Sequence, residues 1–146
     1  MAESKTFYYE NEIEWKGNKE GDLRATALAP IVLGAPPEFN GREGTWSPEH
    51  LFVASVNGCF MLTLLAIAEN SKIQLSTYSS TARGKLERVQ GAGYQITEIT
   101  IKPAVAVATA QDLARLPRLL EKAKENCFVT NSIKGSVKVE PEVYQR

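Results

Sequence analysis

The chain has 146 residues, one ordinary domain's worth, and 43% of them are hydrophobic, enough for a core without staples. Its 17 basic and 17 acidic residues balance with no basic cluster, which argues against nucleic acid as a partner. No signal-peptide-like run opens the chain, and the apolar stretch over 51–68 is broken by Ser55, Asn57, Gly58 and Thr63, so a core helix is expected in a cytoplasmic protein, with no membrane partner.

No repeat and no long linker interrupts 1–146, so a single domain is expected. Residues 6–16 mix aromatic and β-branched side chains and read as a strand. Asn18 to Asp22 reads as a hairpin turn, and 23–33 as a second strand whose end Pro30 pushes to an edge or bulge. Residues 34–46 are rich in Gly and Pro and form a long loop, a common place for function.

Ser47-Pro48-Glu49 is a helix start. Ser at the N-cap accepts a free backbone N–H, Pro at the first position loses nothing, and Glu49 complements the positive helix end. The helix should run to about Asn70. It is apolar nearly all round, so every side needs cover, and a second helix and a partner subunit are expected to give it. Residues 75–89 and 94–107 read as strands joined at Gln90-Gly91-Ala92-Gly93. Thr109 to Asp112 resembles a capping box for a second helix reaching about Asn126, which Pro117 should kink or restart. Residues 133–140 alternate and form a last strand, so the order is strands, helix, strands, helix, strand.

The chain holds two cysteines, Cys59 and Cys127, 68 positions apart. In a reducing compartment such a pair is either two apolar fillers or a redox couple. A thiolate, not a thiol, attacks a peroxide, and burial in an apolar helix disfavours the thiolate, so a nearby cation is needed. Arg42, in the loop before the helix, is the best candidate, with Glu49 placed to hold its guanidinium; Arg24 is a rival. Each also has a plain reading, Arg42 as a solvated loop charge and Glu49 as a helix-start residue. Glu49 and Cys59 lie ten residues apart on one helix, about 15 Å along its axis. If they cooperate, they do so across two antiparallel copies of that helix, which couples the chemistry to a two-fold dimer. His50 is the single histidine and no CxxC occurs, so neither a metal site nor a cofactor is expected.

The segment SPEHLFVASVNGCFMLTLLAIAENSKI resembles the first signature of the OsmC/Ohr superfamily, a Pro-Glu helix start with the reactive Cys ten residues after the Glu. AKENCFVTNSIKG resembles its second, where the other Cys ends the second helix. The resemblance covers about residues 8 to 143. It implies an intertwined α+β homodimer, with antiparallel sheets wrapped around two central helices per subunit and active sites at the interface. It implies Cys59 as the peroxidatic thiol, Cys127 as the resolving thiol, and Glu49 as the residue orienting a thiolate-stabilising arginine, for which Arg42 is the match. The first hairpin, where other members place that arginine, holds Asn18 and Lys19, and Phe128 stands where many members carry Pro.

The implied substrates are organic hydroperoxides, reduced in turn by a dithiol such as a lipoyl group. Trp46, Phe52 and Phe60 are candidates for the apolar approach to the thiols, with core packing as the competing reading. Two other functions fit the residues: a hotdog-like thioesterase with Glu49 as base, and a non-catalytic module binding an apolar ligand at the dimer interface.

Overall fold

Two 15-residue strands, β4 (Leu75–Val89) and β5 (Gly93–Val107), dominate the computed structural model, paired antiparallel along their whole length. Gly91 and Gly93 take positive φ, which lets the chain reverse between them. The structure describes residues 4–146, which fall into two compact units, one ending at Leu51 and the other Phe52–Arg146.

The first unit is a three-stranded antiparallel sheet, β1 (Glu12–Gly17), β2 (Glu20–Arg24) and β3 (Ile31–Gly34), in that order. Residues 6–11, expected in the first strand, are outside it. The segment expected as one strand over 23–33 is split by a turn in which Ala27 takes a φ of 63°. The long loop then carries a short 3-10 turn, Pro37–Phe39, and reaches Trp46, whose carbonyl accepts the Gly34 N–H at 2.8 Å.

Helix α1 (Pro48–Asn70) begins where the sequence places it. Ser47 is fully buried, and its Oγ accepts the His50 N–H at 3.1 Å. The helix runs unbroken to Asn70.

In the second unit, Val56, Phe60, Leu64 and Ala68 form the buried stripe of α1 at four-residue spacing. They meet Ile99, Ile101, Val105 and Val107 of β5, and Leu116, Leu119, Leu120 and Ala123 of helix α2 (Ala110–Asn126). Thr109 caps α2 by accepting the Asp112 N–H at 3.1 Å. Of the two expected effects of Pro117, the restart does not occur: Pro117 lies on the exposed side and α2 continues through it.

The sheets are not wholly antiparallel, and a further short strand follows the one expected over 133–140. β6 (Ser136–Val139) and β7 (Glu142–Gln145) both pair parallel to β5, at Glu98–Ile101 and Ala104–Val107. The reason is the crossover: α2 carries the chain back along the sheet, so both strands after it run the same way as β5. Pro141, which has no N–H, separates the two strands.

Where α1 crosses β4 the approach is close. A Cβ on Gly84 would lie 2.4 Å from Val53 Cγ2. Gly84→Ala is therefore expected to destabilise the fold by about 1–3 kcal/mol. Urea unfolding checks this, with a lowered midpoint at unchanged slope.

Candidate active site

The two cysteines, 68 positions apart in sequence, meet in the second unit. Cys59 projects from α1 and is partly accessible; Cys127 ends α2 and is fully buried. Cys59 Sγ lies 3.9 Å from Thr63 Oγ1, one turn on along the same helix. The Cys127 thiol and the backbone N–H groups of Val129 and Phe128 lie on the same side and favour its ionised form. Those two N–H groups open a helical turn that starts at Cys127, where the Asn131 N–H bonds the Cys127 carbonyl at 3.0 Å. The first N–H groups of such a turn lack partners within it, so they are free to face an anionic sulfur.

These contacts divide the pair electrically. Burial pushes the Cys59 thiol up, but the donors from Cys127, Val129, Thr63 and Phe128 outweigh it, and the thiol falls below its ordinary value. Burial pushes Cys127 up; Thr130 works against this, but the neighbouring Cys59 adds to it, and the thiol ends above its ordinary value. The surroundings thus favour ionisation at Cys59 and disfavour it at Cys127.

This difference sets the sign of the pH dependence. A depressed Cys59 value means its ionised form stabilises the fold above the ordinary thiol range, and that contribution is lost as pH falls through the folded value. Alkylation of Cys59 by iodoacetamide is expected to rise with pH and level off at a lower pH than for free cysteine. Thr63→Val removes one donor and should move that break upward; mass spectrometry of the Cys59 peptide reads it.

Glu49 and Arg42 belong to the first unit, and the structure does not join them. Arg42 instead makes a two-pronged pair with Glu20, Nε to Oε2 at 2.5 Å and Nη2 to Oε1 at 3.2 Å. The cause is geometric: the long loop carries Arg42 beside β2, where a carboxylate is already in place. The rival Arg24 pairs with Asp22 at 3.2 Å and Glu14 at 3.4 Å. Glu49 lines a cavity of about 430 Å³ with Ile13, Trp15, Leu33, Phe39 and Lys19. Its Oε2 is buried and without a hydrogen-bond partner among the described residues.

The three aromatic candidates separate. Phe60 is 1% exposed and belongs to the helix–sheet core, so it offers no approach surface. Phe52 is partly exposed and lines a groove with Leu86, Tyr94, Ile96 and Ile133. Trp46 is half exposed and meets the His50 ring edge-on, 6.3 Å between centroids. Among the described residues, no group of three or more His, Cys, Asp or Glu side chains is arranged to hold a metal ion.

Sequence reasoning missed Thr63, Thr130 and the N–H groups of Phe128 and Val129. Thr63 was readable from its four-residue spacing to Cys59. The main-chain donors carry no side-chain signal.

The chain resembles known proteins along nearly all its length. It is 28% identical over 145 residues to an organic hydroperoxide resistance protein of Xanthomonas axonopodis pv. citri, covering 95% of this chain and 96% of that one. It is 25% identical over 134 residues to the uncharacterized protein YmaD of Bacillus subtilis, covering 88% and 87%. Among solved structures, an OsmC-like protein of unknown function from Vibrio cholerae superposes with a TM-score of 0.86 at 23% identity, over 93% of this chain and 99% of that one. An organic hydroperoxide resistance protein OsmC from Legionella pneumophila gives 0.74 at 27% identity, over 94% and 98%. The family model described as OsmC-like protein matches residues 41–142, and with both thiols, α1 and the long hairpin inside that match, the chain belongs to the OsmC-like family.

Proposed function

We propose that this protein is a cytoplasmic thiol peroxidase that reduces organic hydroperoxides. The observation that carries the reading is the asymmetric pair: a partly accessible Cys59 whose ionisation is favoured, beside a buried Cys127 whose ionisation is disfavoured. The Cys59 thiolate attacks the outer peroxide oxygen; the O–O bond breaks, the alkoxide takes a proton and leaves as alcohol, and Cys59 becomes a sulfenic acid. Cys127 then attacks that sulfur, water leaves, and a disulfide forms. A dithiol, of which a lipoyl group is one example, restores both thiols and leaves as its own cyclic disulfide.

Glu49 enters this scheme from a second copy of the chain, because an unbroken α1 keeps it about 15 Å along the axis from its own Cys59. The exposed Leu62 and Leu65 of α1 support such a homodimer, since a helix apolar all round needs cover on each side. Within that dimer Glu49 orients a cation, for which the family resemblance points to Arg42. Trp46 and Phe52 give the alkyl group an apolar approach.

A slight excess of an alkyl hydroperoxide at neutral pH is expected to remove both free thiols per chain in a colorimetric titration. Thiols that stay free after that treatment refute the reading. The largely apolar cavity beside Glu49 favours a second reading, a module that binds an apolar ligand. Ligand binding that survives replacement of both cysteines by serine, in a chain whose thiols ignore hydroperoxide, would establish it.

A further inference from the structure

Cys127 has to shed a proton before its sulfur can bond to another sulfur, since the thiolate is the attacking form. Its setting works against that. The residue is fully buried, and burial is the largest influence on its thiol. The influences that follow come from Thr130 and Cys59. Neither is a carboxylate or an imidazole, the usual acceptors of a proton.

Thr130 is placed to move that proton. It opens the short 3-10 helix Thr130–Ser132, three residues after Cys127, in a turn that the Asn131 N–H closes on the Cys127 carbonyl at 3.0 Å. That spacing sets the two side chains on one face of the turn. The polar side chains next to Thr130 are spent elsewhere: Ser132 Oγ donates to the Phe128 carbonyl at 2.7 Å, and Asn131 Nδ2 to the Glu125 carbonyl at 3.2 Å. The Thr130 hydroxyl and N–H both favour the ionised form of Cys127, against its burial. Thr130 is also only half-buried where Cys127 is sealed, so its hydroxyl leads from the buried sulfur toward the surface.

We propose that Thr130 is the proton relay of the resolving step: its hydroxyl accepts the Cys127 proton while passing its own proton on, so that the buried sulfur becomes a nucleophile only as it attacks. The natural oxidant of this step rests on the proposed peroxidase reading; the relay itself applies to any closure of the Cys59–Cys127 disulfide. With Cys59 as a sulfenic acid, the Cys127 sulfur attacks the Cys59 sulfur, the S–O bond breaks, and its electron pair leaves on oxygen. The proton delivered through Thr130 Oγ1 turns the departing hydroxide into water. Cys127 is oxidised and the Cys59 sulfur reduced, as in any condensation of a sulfenic acid with a thiol. A hydroxyl donates and accepts at once, so Thr130 ends the step as it began, uncharged.

Two measurements on the full-length protein test this. The first needs no peroxide. The Cys59 thiolate displaces one nitrothiobenzoate from dithiobis(nitrobenzoate), and Cys127 then displaces the other from the mixed disulfide, so stopped-flow absorbance separates the two thiols in time. Thr130→Val is expected to leave the first phase within about twofold and to slow the second on the order of tenfold or more. Thr130→Ser, which keeps the hydroxyl, should restore most of the second phase. The unchanged first phase shows that the variant is folded around Cys59. An unaltered second phase, a loss shared equally by both phases, a serine variant as slow as the valine one, or a wild type that releases one nitrothiobenzoate per chain and stops, each overturns the relay.

The second measurement uses a slight excess of tert-butyl hydroperoxide with dimedone present as a trap for sulfenic acid. Slower closure should leave several-fold more dimedone adduct on Cys59 in Thr130→Val than in the wild type, read by peptide mass spectrometry. Equal trapping in the two proteins refutes the relay in the peroxide reaction. If the wild-type thiols ignore the hydroperoxide, the peroxidase reading falls, while the nitrothiobenzoate phases still decide whether Thr130 serves Cys127.

Discussion

Replacing Cys127 by serine is expected to leave a protein that consumes one equivalent of alkyl hydroperoxide per chain, then a second more slowly, and does not turn over. Cys59 keeps the N–H groups of Phe128 and Val129 and the Thr63 hydroxyl, so its ionisation is still favoured and its sulfur still attacks. The sulfenic acid then has no second thiol to close on. Further hydroperoxide carries it to the sulfinic acid, from which dithiols do not recover it. Intact-mass spectra should therefore gain one oxygen, then two, and peptide maps should place them on Cys59 alone. Cys59→Ser behaves differently: with the nucleophile gone, consumption falls by about a thousandfold or more. Cys127, fully buried and with its ionisation disfavoured, is not expected to take over. A Cys127→Ser variant that keeps turning over without added thiol would contradict the division of labour.

The largest stability effect is expected from Phe60→Ala. Phe60 is among the largest fully buried side chains and packs where α1 meets β5 and α2. Truncating such a residue removes its transfer free energy and leaves a cavity, together about 3–5 kcal/mol. Denaturant unfolding should show that loss, while the rate constant of Cys59 with hydroperoxide, measured well below the unfolding midpoint, stays near that of the unaltered chain. A large rate change with little loss of stability would return Phe60 to the substrate path.

Local signals were the legible ones. Ser47-Pro48-Glu49 announced α1 because capping chemistry is contained in three adjacent residues, and Thr109 with Asp112 did the same for α2. The hairpin at Gly91 and Gly93 was legible because only a few residue types tolerate positive φ. Strand direction was not: the parallel pairing of β6 and β7 depends on how α2 returns the chain, which no short window contains.

The site divides in the same way. The cysteines could be named from their rarity and motif context, and the structure puts them in contact. The partner of Arg42 could not be named, because Glu20 lies 22 residues away and reaches it only through the path of the long loop. The main-chain donors at Phe128 and Val129 belong to a conformation, not to a residue type. They change the electrostatics of the site, since part of what was asked of a guanidinium is supplied by the turn after Cys127.

Peptide mass spectrometry after one equivalent of alkyl hydroperoxide, with free thiols alkylated before digestion and no reductant added, goes most directly to the central claim. The expected product is a single new species, the Cys59 and Cys127 peptides joined and two hydrogens lighter than their sum, from one chain. Recovery of both peptides fully alkylated, or of Cys59 oxidised beside an untouched Cys127, would contradict it.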